Sequence, residues 1–198
     1  MTLTEFLSAH DRPGAVTLLE GKRTVLAQDI AKLEMLGRRL AAASRHMQFR
    51  SGNAPGADHH FSLGVAGVDA SRLQVIIPYT SHRSASNLAA RTYSLDDVDL
   101  LQEPELVYAT RETRSMASLV DGYVSGKRGM PYLNASYLLR DTAKVLGARG
   151  IPPAGFAIFY DDLAAPGQGG TGHTMRVCVA HGIPMVDQRS WFAWLDAD

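Results

Sequence analysis

The chain has 198 residues, 45% of them hydrophobic and 20% charged, with 20 basic and 20 acidic side chains. That length suits one domain with room for an inserted subregion, and the composition supports a core without disulfide or metal staples. Neutral balance excludes a strongly basic chain, so a nucleic-acid partner is not expected beyond a local patch, and the lone Cys178 excludes an internal disulfide framework and fits a reducing cytoplasm. The first residues include Glu5, His10, Asp11 and Arg12, so no signal peptide is expected, and no apolar run approaches the roughly 20 residues of a membrane span. A cytoplasmic protein with no membrane partner is the expectation.

Residues 1–14 read as a short amphipathic lead-in ending at Pro13-Gly14. Residues 15–19 form a strand that stops at Glu20-Gly21-Lys22-Arg23. Thr24 can cap the following helix, whose buried stripe is Leu26, Ile30, Leu33, Gly37 and Leu40. Arg38, Arg39, Arg45 and Arg50 read as its solvated surroundings. Met47-Gln48-Phe49 is a second strand, followed by a glycine-rich loop and a short helix with Phe61, Val65 and Val68. Residues 73–77 are a third strand, ended by Pro78. This βαβαβ order predicts parallel strands.

Residues 79–103 read as a polar loop. Pro104 opens a helix with one face at Leu106, Thr110, Thr113, Ala117 and Val120; Gly126 to Pro131 breaks it, and a second helix covers about 132–147. Residues 154–160 look like a central strand, Met175 to Ala180 a helix, 183–186 a last short strand and Trp191 to Leu195 a terminal turn. The predicted fold is a Rossmann-like α/β three-layer sandwich with a mainly parallel sheet of about five strands. It is one domain over 1–198, with a helical insertion at about 104–147.

Two segments carry chemistry. One is Ser51-Gly52-Asn53-Ala54-Pro55-Gly56-Ala57-Asp58; the other is Gly169-Gly170-Thr171-Gly172-His173-Thr174, with Arg176 just beyond. Each follows an apolar run and opens a helix, whose free N–H groups and positive end attract phosphate, while glycine permits close approach. The alternative is a pair of tight turns. Neither matches a dinucleotide fingerprint or an NTPase P-loop. Gly21-Lys22-Arg23 belongs at the same sheet edge, where Arg can fork onto phosphate. Asp161 and Asp162 end the fourth strand and are the candidate catalytic carboxylates, with a loop or capping role as the alternative. Asp58 reads as orienting the first loop. His173, at a helix start, is placed to meet an anion. His59-His60 lacks a third ligand at metal spacing, so neither a metal nor another cofactor is expected.

In their order along the chain, Gly21-Lys22-Arg23, Ser51 to Asp58 and Gly169 to Arg176 resemble the SLOG superfamily, over about 15–83 and 154–187. This group contains the LOG phosphoribohydrolases, the Smf/DprA DNA-processing proteins and stand-alone bacterial and phage domains. The resemblance implies a Rossmann-like sheet whose loops hold a phosphorylated nucleotide or nucleotide derivative, as a sensor or carrier module. It also implies two rivals: a hydrolase cleaving an N-glycosidic or phosphoribosyl bond, and a DNA-processing module. Gly169, Gly170, Thr171, Gly172 and His173 fall on the LOG loop, but His173 replaces its threonine and Arg176 its catalytic glutamate. A guanidinium cannot act as that carboxylate. A homo-oligomer is compatible with these features.

Overall fold

A computed structural model describes residues 1–111 and 116–196. Six strands form one all-parallel sheet in the order β4-β3-β2-β1-β5-β6. They are β1 (Val16–Gly21), β2 (Gln48–Ser51), β3 (Leu73–Ile77), β4 (Arg91–Ser94), β5 (Phe156–Tyr160) and β6 (Met185–Val186). The helices are α1 (Leu3–His10), α2 (Ile30–Ala43), α3 (Ala57–Asp69), α4 (Pro104–Arg111), α5 (Ala117–Val124), α6 (Met130–Leu146), α7 (Gly169–Ala180), α8 (Gln188–Trp191) and α9 (Ala193–Asp196).

β1, β3 and β5 are buried on both faces, as the inner strands of a parallel sheet between helical layers require. Period-2 alternation divides them between two cores. Phe156, Ile158 and Tyr160 of β5 join Leu33, Leu36 and Leu40 of α2, Phe61 of α3, and Trp191 and Trp194. Ala157 and Phe159 face the other way, with Val145 of α6 and Cys178 of α7. A third apolar cluster joins Ile76 of β3 to Val120 and Leu139 of the 104–146 helices. Gly37 belongs to the α2–α3 crossing for want of a side chain: a Cβ there would sit 2.4 Å from the Phe61 carbonyl.

Several local expectations are corrected. The 79–103 segment contains β4, an exposed edge strand too polar to betray itself; it pairs with β3 from Gln74↔Arg91 to Ile77↔Ser94. β1 runs to Gly21 rather than stopping at Leu19, because β5 offers a ladder partner as far as Tyr160. Thr24 caps nothing: α2 starts at Ile30, after a 3-10 turn at 27–29, and Leu26 is exposed. The first helix after Pro104 ends at Arg111, and Ala117 opens a second; Thr113 lies outside the described residues. Together α4–α6 carry the chain from the β4 edge back to β5, beside β1. Arg50 is fully buried, not solvated. Its guanidinium donates to Gln74 Oε1 at 3.1 and 2.9 Å and to the carbonyls of Lys144 (2.9 Å) and Pro152 (2.7 Å). Among the described residues no helix is long and apolar enough to cross a membrane.

Candidate functional site

At the carboxyl edge of the sheet, the ends of β1 and β2 and the start of α7 frame a cleft of about 610 Å³. Gly21, Arg23, Ala54 and Asp58 line one side, and Gly169, Gly170, Thr171, His173 and Arg176 the other, so both glycine segments reach one space. The helix α6 closes it with Asn134, Tyr137, Arg140, Asp141 and Lys144, and Glu20 of β1 lines it too.

The first segment is occupied from inside. Asp58, buried at the start of α3, accepts from the N–H groups of Gly21 (3.2 Å), Gly52 (2.9 Å) and Ala54 (3.4 Å). A carboxylate of the chain itself therefore already occupies these loop amides. Ser51 Oγ accepts from Asn53 N–H, and Asn53, at φ 54°, donates through Nδ2 to the carbonyls of His82 (3.2 Å) and Arg83 (3.3 Å). Gly56 takes φ 81° against the backbone of Arg23. These four residues shape the loop, and Ser51, Gly52, Asn53 and Gly56 do not line the cleft.

The second segment is different. Helix α7 begins at Gly169, six residues earlier than expected, and Gln168 at its N-cap makes no side-chain cap. The first-turn N–H groups have no helical carbonyl to meet, so this end keeps its donors and its positive potential. Gly169 carries the positive φ (61°), whereas Gly170 is helical; a Cβ on Gly170 would meet Asp141 Oδ2 at 2.9 Å. Arg176 is exposed and donates to the Gly167 carbonyl at 3.1 Å. Thr174 Oγ1 donates to Glu20 Oε1 at 3.0 Å. His173 is corrected: it is 2% exposed, its Nε2 lies 2.9 Å from Thr142 Oγ1, and burial lowers its pKa. It braces α7 on α6 rather than offering a charge to an anion.

Lys22, Asp161 and Asp162 sit apart from the cleft. Lys22 Nζ pairs with Asp162 at 2.7 Å, and this hydrogen bond holds the Asp162 carboxyl below its usual range. Asp161 Oδ2 accepts from Gly167 N–H at 2.8 Å, and its backbone bonds both ways with Gln188. Gly172 and Thr174 are buried within α7.

The cleft floor is a network of buried charges that no sequence motif announced. Lys144 Nζ pairs with Glu20 Oε2 at 2.6 Å and with Asp141 Oδ1 at 2.9 Å, and Arg140 Nε pairs with the same Asp141 oxygen at 2.9 Å. Arg140 Nη1 also donates to the Gly52 carbonyl, tying α6 to the first loop. Burial pushes the Glu20 carboxyl up to about 8, against the pull of Lys144. Burial opposes ionisation of Asp141 as well, but Arg140 and Lys144 outweigh it and hold its pKa low. The one visible signal was spacing: Tyr137, Arg140, Asp141 and Lys144 fall at i, i+3, i+4 and i+7, a single face of α6. Among the described residues no group of three or more His, Cys, Asp or Glu side chains is placed to hold a metal.

Beside the cleft, Arg23, His82, Arg83, Tyr137 and Arg140 line a smaller hollow of about 200 Å³. His82 and Tyr137 of the hollow meet edge to face at 5.7 Å between centroids, and His82 meets Tyr79, outside the hollow's lining, at 5.1 Å. The guanidinium of Arg23 lies 5.8 Å from the Tyr137 ring centre and that of Arg140 5.6 Å. His82 is pushed down to about 4, by burial first and then by Arg140, Arg83 and Arg23. In the unfolded chain its pKa is near 6.5, so between pH 6.5 and 4 the unfolded state binds a proton that the folded state refuses. The stability tied to His82 is full above pH 6.5 and is lost as pH falls toward 4. Thermal melts across that window should show the midpoint falling, and His82→Gln should flatten part of the fall; superimposable profiles would contradict it.

No protein-family model and no curated protein matches the sequence. Two solved structures share its fold. DNA processing protein A from Helicobacter pylori, described for its single-stranded DNA binding mode, superposes with TM-score 0.50 at 15% identity, over 94% of this chain and 68% of that one. DNA processing protein A (DprA) from Streptococcus pneumoniae gives TM-score 0.50 at 11% identity, over 88% of this chain and half of that one. The expectation against a nucleic-acid partner, drawn from neutral net charge, is corrected: a protein of this fold binds single-stranded DNA, and here the exposed guanidiniums of Arg23 and Arg176 stand at the rim above a floor of paired charges. The chain has the α/β Rossmann-like fold of these DNA-processing proteins.

Proposed function

We propose that this chain is a single-stranded DNA-binding module of the SLOG type, with one nucleotide unit in the cleft and its neighbour on the aromatic hollow. One observation carries the reading: Arg23, Tyr137 and Arg140 line both the cleft and the hollow, so the two spaces adjoin, and the half-buried Tyr137 ring stands there with the guanidiniums of Arg23 and Arg83 beside the buried His82. Sequence-tolerant strand binding needs this combination, cations along the phosphate path and π-faces for bases. The backbone phosphate meets the open N-terminus of α7 and the exposed guanidiniums of Arg23 and Arg176, not the first loop, whose amides Asp58 holds. A mononucleotide would use the cleft alone and leave the aromatic run idle. The fold likeness to a single-strand-binding protein supports the same choice.

Fluorescence anisotropy with a labelled deoxyoligonucleotide tests it. The single strand should bind more tightly than its duplex and than a nucleoside monophosphate, and affinity should fall as salt rises. Tyr137→Ala should weaken strand binding by about tenfold, the scale of one lost base stack. A monophosphate that binds as tightly as the strand, or a strand that does not bind, would overturn the reading.

A further inference from the structure

We infer that the floor of the cleft selects the base: Asp141 presents its open oxygen to an exocyclic amino group, so cytosine, adenine and guanine are favoured over thymine and uracil. The inference rests on the strand reading above and assigns to that site a preference which stacking and phosphate contacts do not supply.

The observation is how the polar groups of the floor are spent. Asp58 accepts from three backbone amides. Glu20 takes Thr174 on Oε1 and Lys144 on Oε2. Lys144 is shared between Glu20 and Asp141, and Arg140 between Asp141 and the Gly52 carbonyl. Both cations meet Asp141 on the same oxygen, Oδ1. Its other oxygen, Oδ2, meets no hydrogen-bond donor among the described residues and faces the cleft wall at Gly170, where a Cβ would stand 2.9 Å away. The side chain is only 4% exposed, so this is a built-in group aimed at the cleft rather than a solvated surface acid. Arg140 and Lys144 keep it ionised.

A carboxylate oxygen that meets no donor among the described residues, at the bottom of a cleft, is free to accept one from the ligand. It repels phosphate, which stays at the rim. Within a DNA strand the sugar has no free hydroxyl, so the donor must come from the base. Cytosine, adenine and guanine offer amino groups. Thymine and uracil present carbonyl oxygens there, and an oxygen set against Asp141 Oδ2 is repelled. Acceptance of the cytosine amino group by Asp or Glu is an established pairing.

The test compares labelled oligodeoxycytidine, oligodeoxythymidine and oligodeoxyuridine of equal length with the full chain at pH near 7.5. Cytosine should bind about tenfold more tightly than uracil or thymine. Gly170→Ala, which is helix-compatible and sets a methyl over Oδ2, should bring the ratio close to one. Asp141→Asn, which offers an amide donor, should shift preference toward uracil. Equal wild-type affinities for the three strands would overturn the inference while leaving the strand reading in place, and this comparison decides the matter even if a variant does not fold. A cytosine preference that survives in folded Gly170→Ala and Asp141→Asn would also overturn it. If no strand binds, the strand reading fails, and this inference with it.

Discussion

Asp58→Ala is expected to destabilise the protein by about 3–5 kcal/mol, among the largest losses any single substitution here should produce. The carboxylate closes three loop amides that come from two different strand ends, β1 and β2. Each buried N–H left without a partner costs about 1–3 kcal/mol, and reopening of the loop to water recovers part of that sum. The loss should lower the thermal midpoint by roughly 10 °C in a chain of this size. Asp58→Asn keeps one acceptor oxygen and should fall between wild type and alanine. Urea unfolding followed by circular dichroism measures both. An alanine variant within 1 kcal/mol of wild type, a difference on the scale of ordinary surface substitutions, would mean that Asp58 does not clamp the loop.

Reversal of both rim charges, Arg23→Glu with Arg176→Glu, is expected to reduce single-strand affinity by about 100-fold at moderate salt and to shrink its salt dependence by about two phosphate contacts. Both side chains are exposed and stand at the mouth of the cleft, so the fold should be little affected. Anisotropy across a salt series reads both quantities at once. Unchanged affinity, or an unchanged salt slope, would place the strand elsewhere on the molecule.

The parallel sheet and the meeting of two glycine segments were legible because they rest on local patterns. Apolar runs such as Leu73–Ile77 and Phe156–Tyr160 are buried on both faces, and turn chemistry marks where a strand gives way to a helix. β4 escaped because an exposed edge strand such as Arg91-Thr92-Tyr93-Ser94 needs no hydrophobic face. Asp58 was legible as the residue that orients the first loop, and it does so by accepting from the amides of Gly21, Gly52 and Ala54. The largest omission was the charged face of α6, not the helix itself, which was expected over about 132–147. Arg140, Asp141 and Lys144 look like a solvated helix face, and only the tertiary crossover from β4 to β5 turns that face onto Glu20 and the glycine loops. Net charge misled for the same reason: equal totals conceal exposed guanidiniums, those of Arg23 and Arg176, at the mouth of a cleft whose floor charges are paired.

The most direct test is amide chemical-shift mapping of the full chain as a single-stranded deoxyoligonucleotide is added. Shifts should concentrate at Gly169, Gly170 and Thr171, along 79–83 and around Tyr137, while the amides of Gly52 and Ala54, already held by Asp58, move little. Perturbations confined to a surface remote from these residues, such as α1 and α9, would contradict a strand lying across the cleft and the aromatic hollow.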